Sequence, residues 1–87
     1  MQLVLNSNMQ YIDTDDGLVI LDSEEQVHYI DSTGKNIIRM IETESRTDIV
    51  FEKFCALYTN VSTDQLSVDF AEFLEKLMAK GILIYGI

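Results

Sequence analysis

Few side chains in this sequence are of types that do chemistry, and their surroundings decide what they can do. A nucleophile needs a base beside it, and the base needs a group that orients it. The one cysteine, Cys55, lies in Phe54-Cys55-Ala56-Leu57, in a helical pattern, and reads as a small packed side chain. The one histidine, His28, stands between Val27 and Tyr29 in a strand-like run. It reads as a packed or interface residue, because no carboxylate company is specified for a metal. The carboxylate pairs Asp15-Asp16 and Glu24-Glu25 sit in turn-like segments. Acid–base work needs one carboxyl in an apolar pocket that raises its pKa, and turn tips are solvated. Asp13-Thr14-Asp15-Asp16-Gly17 opens like a calcium loop but lacks the later ligands and the closing Glu. A turn between two strands is the better reading. The expectation is no catalytic residue, no metal site and no cofactor.

Composition narrows the classes further. A chain of 87 residues is read as one domain, 1–87. At this size folding buries roughly 60–65% of the unfolded surface, enough for one small core but not a deep active site. With 47% hydrophobic and 24% charged residues the composition is that of an ordinary globular protein. No apolar run is long enough to span a membrane, and the N-terminus lacks a signal peptide's basic flank. One cysteine excludes an internal disulfide. These features fit a cytoplasmic location.

Six Lys and Arg stand against fifteen Asp and Glu, a net charge of −9. The cations Lys35, Arg39, Arg46, Lys53, Lys76 and Lys80 are scattered. Phosphate binding needs a basic footprint, so neither nucleic acid nor an anionic membrane is expected as a partner. A winged-helix DNA reader needs a basic recognition helix, yet Thr63 to Met78 carries Asp64, Asp69, Glu72 and Glu75 against Lys76. An acyl carrier protein starts helical and carries Asp-Ser-Leu, whereas Asp31-Ser32-Thr33 differs in its third residue and follows strands.

The elements divide into a strand half and a helix half. Leu3-Val4-Leu5, Met9-Gln10-Tyr11-Ile12, Leu18-Val19-Ile20-Leu21 and Val27-His28-Tyr29-Ile30 are short β-rich runs separated by turn signals. They predict a small antiparallel meander, with Leu18–Leu21 as a central strand buried on both faces. Asp31 or Ser32 caps a first helix with Ile37, Ile38 and Ile41 on one face. Ser45-Arg46-Thr47-Asp48 has capping-box character and opens a second helix, with Ile49, Val50, Phe54, Leu57 and Tyr58 inward or half inward. Ser62-Thr63-Asp64-Gln65 is the stronger capping box. It opens a third helix with the stripe Leu66, Phe70, Phe73, Leu74, Leu77 and Met78. Lys76 and Lys80 suit the end of this helix, and Gly81 suits the position after it. Ile82-Leu83-Ile84-Tyr85 is expected to pack back as a strand or extended tail.

An α+β chain of this kind has features for holding another chain. An edge strand presents free N–H and C=O groups that an extended peptide can complete, and an adjacent apolar helix face supplies pockets. Five segments then resemble, in order, those of the PqqD-like family of precursor-peptide recognition elements. They are Asp16-Gly17-Leu18-Val19-Ile20-Leu21-Asp22, Val27-His28-Tyr29-Ile30-Asp31, Ser32-Thr33-Gly34-Lys35-Asn36-Ile37-Ile38, Asp48-Ile49-Val50, and Val68 to Leu77 followed by Gly81-Ile82-Leu83. The resemblance covers about residues 9–84. Departures are Ser32 in place of the family's Pro, Asp31 in place of Asn, Ile38 in place of an aromatic residue, and Glu25 in place of Gly.

The resemblance implies a winged-helix-like α+β fold, a three-stranded antiparallel sheet followed by three helices. It implies a non-catalytic, cofactor-free protein that binds the leader of a ribosomally made precursor peptide as an added strand. The backbone donors and acceptors then come from Gln26, Val27, His28, Tyr29 and Ile30. The helix wall comes from some of Leu66, Asp69, Phe70, Phe73, Lys76 and Leu77. By periodicity alone Phe70, Leu74 and Leu77 read as core, and Phe73 as either core or groove. Strand alternation gives one face to Val27 and Tyr29 and the other to His28 and Ile30. The resemblance implies that Ile30 and His28 face the helices and that Val27 and Tyr29 are accessible. The implied partners are the leader peptide and a leader peptidase or modifying enzyme, of which a radical S-adenosylmethionine enzyme is one type. A free-standing chain resembles the lasso-peptide and pyrroloquinoline quinone pathway members, and Thr14-Asp15-Asp16-Gly17-Leu18-Val19 leans to the lasso type. The second reading is a scaffold that binds a folded enzyme through the same edge. A monomer or weak dimer fits either reading.

Overall fold

The structure is a computed structural model and describes residues 2–86. Five strands and three helices follow one another: β1 (Leu3–Leu5), β2 (Gln10–Thr14), β3 (Gly17–Leu21), β4 (Val27–Asp31), α1 (Ser32–Thr43), α2 (Thr47–Leu57), α3 (Thr63–Ala79) and β5 (Leu83–Tyr85). The architecture is α+β. Strands β2, β3 and β4 form an antiparallel sheet in that order, with Ile12 opposite Val19 and Val19 opposite Tyr29. The third strand of the family pattern is therefore β4.

The β1 segment does not join this meander. It pairs antiparallel with β5, Leu3 opposite Tyr85 and Leu5 opposite Leu83. The apolar tail packs back as a strand because Leu83 faces the core at 1% exposure and its backbone needs partners. Asn6 secures this closure, its N–H donating to the Ile82 carbonyl and its side-chain amide to the Gly81 carbonyl.

Helix boundaries follow from caps. The Asp31 carboxylate accepts from the Gly34 N–H at 2.8 Å, and the Ser62 hydroxyl from the Gln65 N–H at 3.2 Å. The Gln65 side chain does not return to the cap but donates to Asp69. Gly81, at φ 74°, ends α3: its N–H reaches the Met78 carbonyl and that of Ile82 the Leu77 carbonyl. The capping box expected at Ser45 does not form. Arg46 stands at the cap of α2 without a side-chain cap bond: its extended backbone, bridged to Gln2, keeps it out of the helix and leaves Ser45 one residue too early to cap. There the Leu3 N–H donates to the Ser45 carbonyl.

One cluster of buried side chains joins the strands to all three helices. Helix α1 is its hub, touching β1, β3, β4 and α2. Ile37, Ile38 and Ile41 fill its inner face, as their spacing requires. On β3 the side chains of Leu18 and Ile20 are buried, as is Gly17, while Val19 and Leu21 are half-buried. The strand is central, as expected, but sealed on one face alone, since the helices cover only that side of the sheet. Phe54 packs on Phe70 and Tyr58, with ring centroids 5.6 and 4.9 Å apart. Tyr58 thus covers Phe54, and Leu57, expected inward, is 56% exposed. Among the described residues no helix is long and apolar enough to cross a membrane.

Candidate functional site

The β3–β4 hairpin sets up the site. Asp22 opens it: its carbonyl accepts from the Glu25 N–H, its carboxylate from the Glu24 and Gln26 N–H groups, and its own N–H donates to the Gln26 carbonyl. The same carboxylate holds His28 Nε2 at 2.9 Å. The His28 hydrogen bond, and then the backbone donors, push the Asp22 pKa below the ordinary carboxylate value. His28 is therefore a positioned, half-buried hairpin residue.

The hydrogen-bond phase of β4 follows from that turn. In an antiparallel pair the backbone groups alternate between facing the partner and facing away. Counting from the Asp22–Gln26 bond, His28 and Ile30 exchange bonds with Ile20 and Leu18. The N–H and C=O groups of Val27 and Tyr29 then point away from β3. Among the described residues no strand pairs with that side, so β4 is an open edge. Side chains alternate in the same strand: His28 and Ile30 are half-buried toward the helices, while Val27 and Tyr29 are 47% and 82% exposed.

Beside this edge lies a notch of about 130 Å³ lined by Tyr29, Ile30, Asp31, Phe73, Lys76, Leu77 and Lys80. That is about the size of a cavity that takes one benzene-sized group. Its floor is built by close approach. A methyl group on Gly34 would lie 2.5 Å from Ile30 Cγ2 and 2.8 Å from the Phe73 ring, so only glycine lets the first turn of α1 back onto these side chains. A second cavity, about 370 Å³, continues along the strand between Gln26, His28, Asp22 and Met9 on one side and Lys80 on the other.

The expected helix wall divides by the 3.6-residue period. Phe73, Lys76 and Leu77 line the notch, and Asp69 lies on the exposed strip one turn before Phe73. Leu66 and Phe70 do not line it. Leu66 is 4% exposed in the core, and Phe70 turns toward α2, where it meets Phe51 at 5.2 Å and Phe54. Phe70 belongs instead to a groove of about 350 Å³ between α2 and α3, with Phe51, Leu74, Glu75 and Met78. That groove is larger, but no strand edge runs along it; the notch has one. Lys80, outside the expected wall, lines both cavities along β4. Its i+4 spacing from Lys76 was the available signal.

The residues searched for chemistry take other roles. Cys55 is half-buried on α2. Asp13 pairs with Arg39 and Lys35, and Asp15-Asp16 form the two-residue turn between β2 and β3. The Arg39 hydrogen bond pushes the Asp13 carboxyl below its ordinary value.

Comparison with known proteins agrees with this architecture. Two solved structures superpose over 97% of this chain and 99% of their own. One is TbiB1 in complex with the TbiA(beta) leader peptide, with a TM-score of 0.83 and 23% identity. The other is lasso peptide synthetase B1 complexed with the leader peptide, with a TM-score of 0.81 and 19% identity. At these identities the likeness shows the fold. No curated protein sequence matches the chain. The family described as coenzyme PQQ synthesis protein D matches residues 17–83, from the start of β3 to the start of β5. This span holds the open edge, the notch and all three helices, and the chain belongs to the PqqD family.

Proposed function

We propose that this protein binds the leader segment of a ribosomally synthesised precursor peptide as a strand added to β4, and presents the peptide to a modifying enzyme or leader peptidase. The observation that carries the reading is the open edge at Val27 and Tyr29 running beside the Ile30–Phe73–Leu77 notch. Within the Gln26–Ile30 stretch the outward main-chain groups of Val27 and Tyr29 give affinity and register, and the notch selects among leader side chains. The chain itself performs no bond chemistry. It works by tethering, which raises the concentration of the rest of the precursor at the enzyme's active site. Both similar structures carry leader peptides, and one belongs to a lasso peptide synthetase, which supports a leader peptide as ligand and a lasso-type pathway. A cytoplasmic site of action fits a ribosomal substrate.

Fluorescence anisotropy tests this directly. The probe is a labelled leader peptide encoded beside the chain's gene, with the core peptide and a DNA duplex as controls. The expected result is saturable binding of the leader alone, at micromolar affinity or better. Tyr29→Ala removes an exposed side chain and should leave the fold intact; Phe73→Ala removes a wall of the notch. Each is expected to weaken binding about tenfold, as for an anchoring aromatic residue. Unchanged affinity in both folded variants overturns the proposed groove. Absence of leader binding in the wild type moves the edge to the scaffold reading, with a folded enzyme as its partner.

A further inference from the structure

The cations of this chain are few, and half of them are already engaged. Lys35 and Arg39 pair with Asp13, Arg39 also with Glu42, and Arg46 with Asp48. Among the described residues Lys53, Lys76 and Lys80 have no carboxylate within ion-pair distance. Two of these three, Lys76 and Lys80, line the notch beside the open edge of β4. Glu72, four residues before Lys76 on the same helix, does not come within ion-pair distance of it, and three other carboxylates in the vicinity have partners of their own. Asp31 accepts from the Gly34 N–H, Asp69 from Gln65, and Asp22 from His28 and two backbone N–H groups. In a chain of net charge −9, two unanswered positive charges one helical turn apart flank an apolar notch.

We propose that Lys76 and Lys80 make the leader site selective for a peptide with a carboxylate side chain on the helix-facing side of the added strand, two residues from an apolar side chain seated in the notch. The inference rests on the strand-addition reading and deepens it by naming the chemistry of the ligand. On an added strand, residues j and j+2 share a face and are about 6.6 Å apart. Lys76 and Lys80 are about 6 Å apart along α3. A side chain placed between Ile30, Phe73 and Leu77 therefore leaves the next one on the same face within reach of an ammonium group. The same lysines complement the helix dipole, but that role acts on the last carbonyls of α3 and needs no peptide.

The test is a coupling measurement with the labelled leader peptide encoded beside the gene. Each Asp and Glu of the leader is replaced in turn by Asn or Gln. Each peptide is titrated against the wild type and against the Lys76→Gln/Lys80→Gln double variant at low salt. One amide substitution is expected to raise Kd about fivefold on the wild type, the scale of a partly exposed ion pair. The same substitution is expected to make no further difference on the double variant. A leader with Lys at that position is expected to bind Lys76→Glu/Lys80→Glu better than the native leader does. A role confined to the helix end would lower the thermal midpoint of the variants without this coupling. The inference is overturned if every amide-substituted leader binds the wild type as the native one does, or if the double variant keeps the discrimination. If the native leader does not bind the wild type at all, the strand-addition reading fails and this inference with it.

Discussion

Glu25 has a φ of 64°, the left-handed conformation that side chains resist. It closes the β3–β4 hairpin, at the position where the family pattern has glycine. The backbone cost of a side chain there is about 1–2 kcal/mol, and glycine's extra freedom in the unfolded chain offsets part of it. Glu25→Gly is expected to stabilise the fold by about 0.5–1 kcal/mol and raise Tm by a few degrees in a thermal melt. Asp22, at the other end of the same turn, makes stability depend on pH. Its pKa is depressed in the folded state, so its contribution is present above the ordinary aspartate value and is lost as pH falls through the folded value. Asp22→Asn keeps acceptors for the Glu24 and Gln26 N–H groups but removes the charge facing His28. Thermal melts should show the variant less stable than the wild type at neutral pH, with the gap closing below about pH 4. A gap that persists into acid would assign the loss to packing. At this scale the alternation of β4 was legible, because a period of two pairs Val27 with Tyr29 and His28 with Ile30, and the family pattern then indicated which pair faces the helices. The direction of Phe70 was not. Its spacing suits either side of α3, and only contact with Phe51 and Phe54 decides.

Elements were legible where local chemistry defines them. The Asp31 and Ser62 caps and Gly81 bound α1 and α3 through bonds within a few residues. Helix α2 opens within the expected segment, at Thr47, but its cap was not legible, because the Ser45 carbonyl serves the distant Leu3 N–H and Arg46 bridges to Gln2. The pairing of β1 with β5 was hidden for the same reason. Two three-residue apolar runs at opposite ends of the chain carry no local sign of each other. The notch is a product of three elements, β4, α3 and the first turn of α1, and Gly34 is where they converge. Gly34→Ala is expected to keep the fold while forcing the Phe73 ring and the Ile30 methyl aside. The strain should cost about 1–3 kcal/mol, offset in part by alanine's better helix propensity. Leader affinity should fall because the notch changes shape, which isothermal titration of the folded variant against the leader would read. Unchanged affinity would place the apolar anchor away from Phe73.

At the scale of the whole molecule, the three-stranded sheet offers its edge on one side of α3, and the α2 groove lies on the other. Composition gave the expectation that neither nucleic acid nor an anionic membrane is a partner, since −9 with scattered cations offers no phosphate-binding footprint. It could not indicate that two of those cations meet beside β4, because that convergence depends on how α3 lies against the sheet. The β1–β5 ladder has a further consequence. Leu3 lies opposite Tyr85, and the Gly86 N–H donates to the Gln2 carbonyl at 3.0 Å, so the chain enters and leaves at one point. Joining those ends with a short linker and opening the exposed turn between Asn60 and Val61 should give a circular permutant that keeps native leader affinity. Loss of binding in a folded permutant would mean that the α2–α3 turn takes part in holding the peptide. By the same geometry the domain can be spliced into a surface loop of a larger enzyme as a cassette, its peptide edge on display and its host barely spread apart.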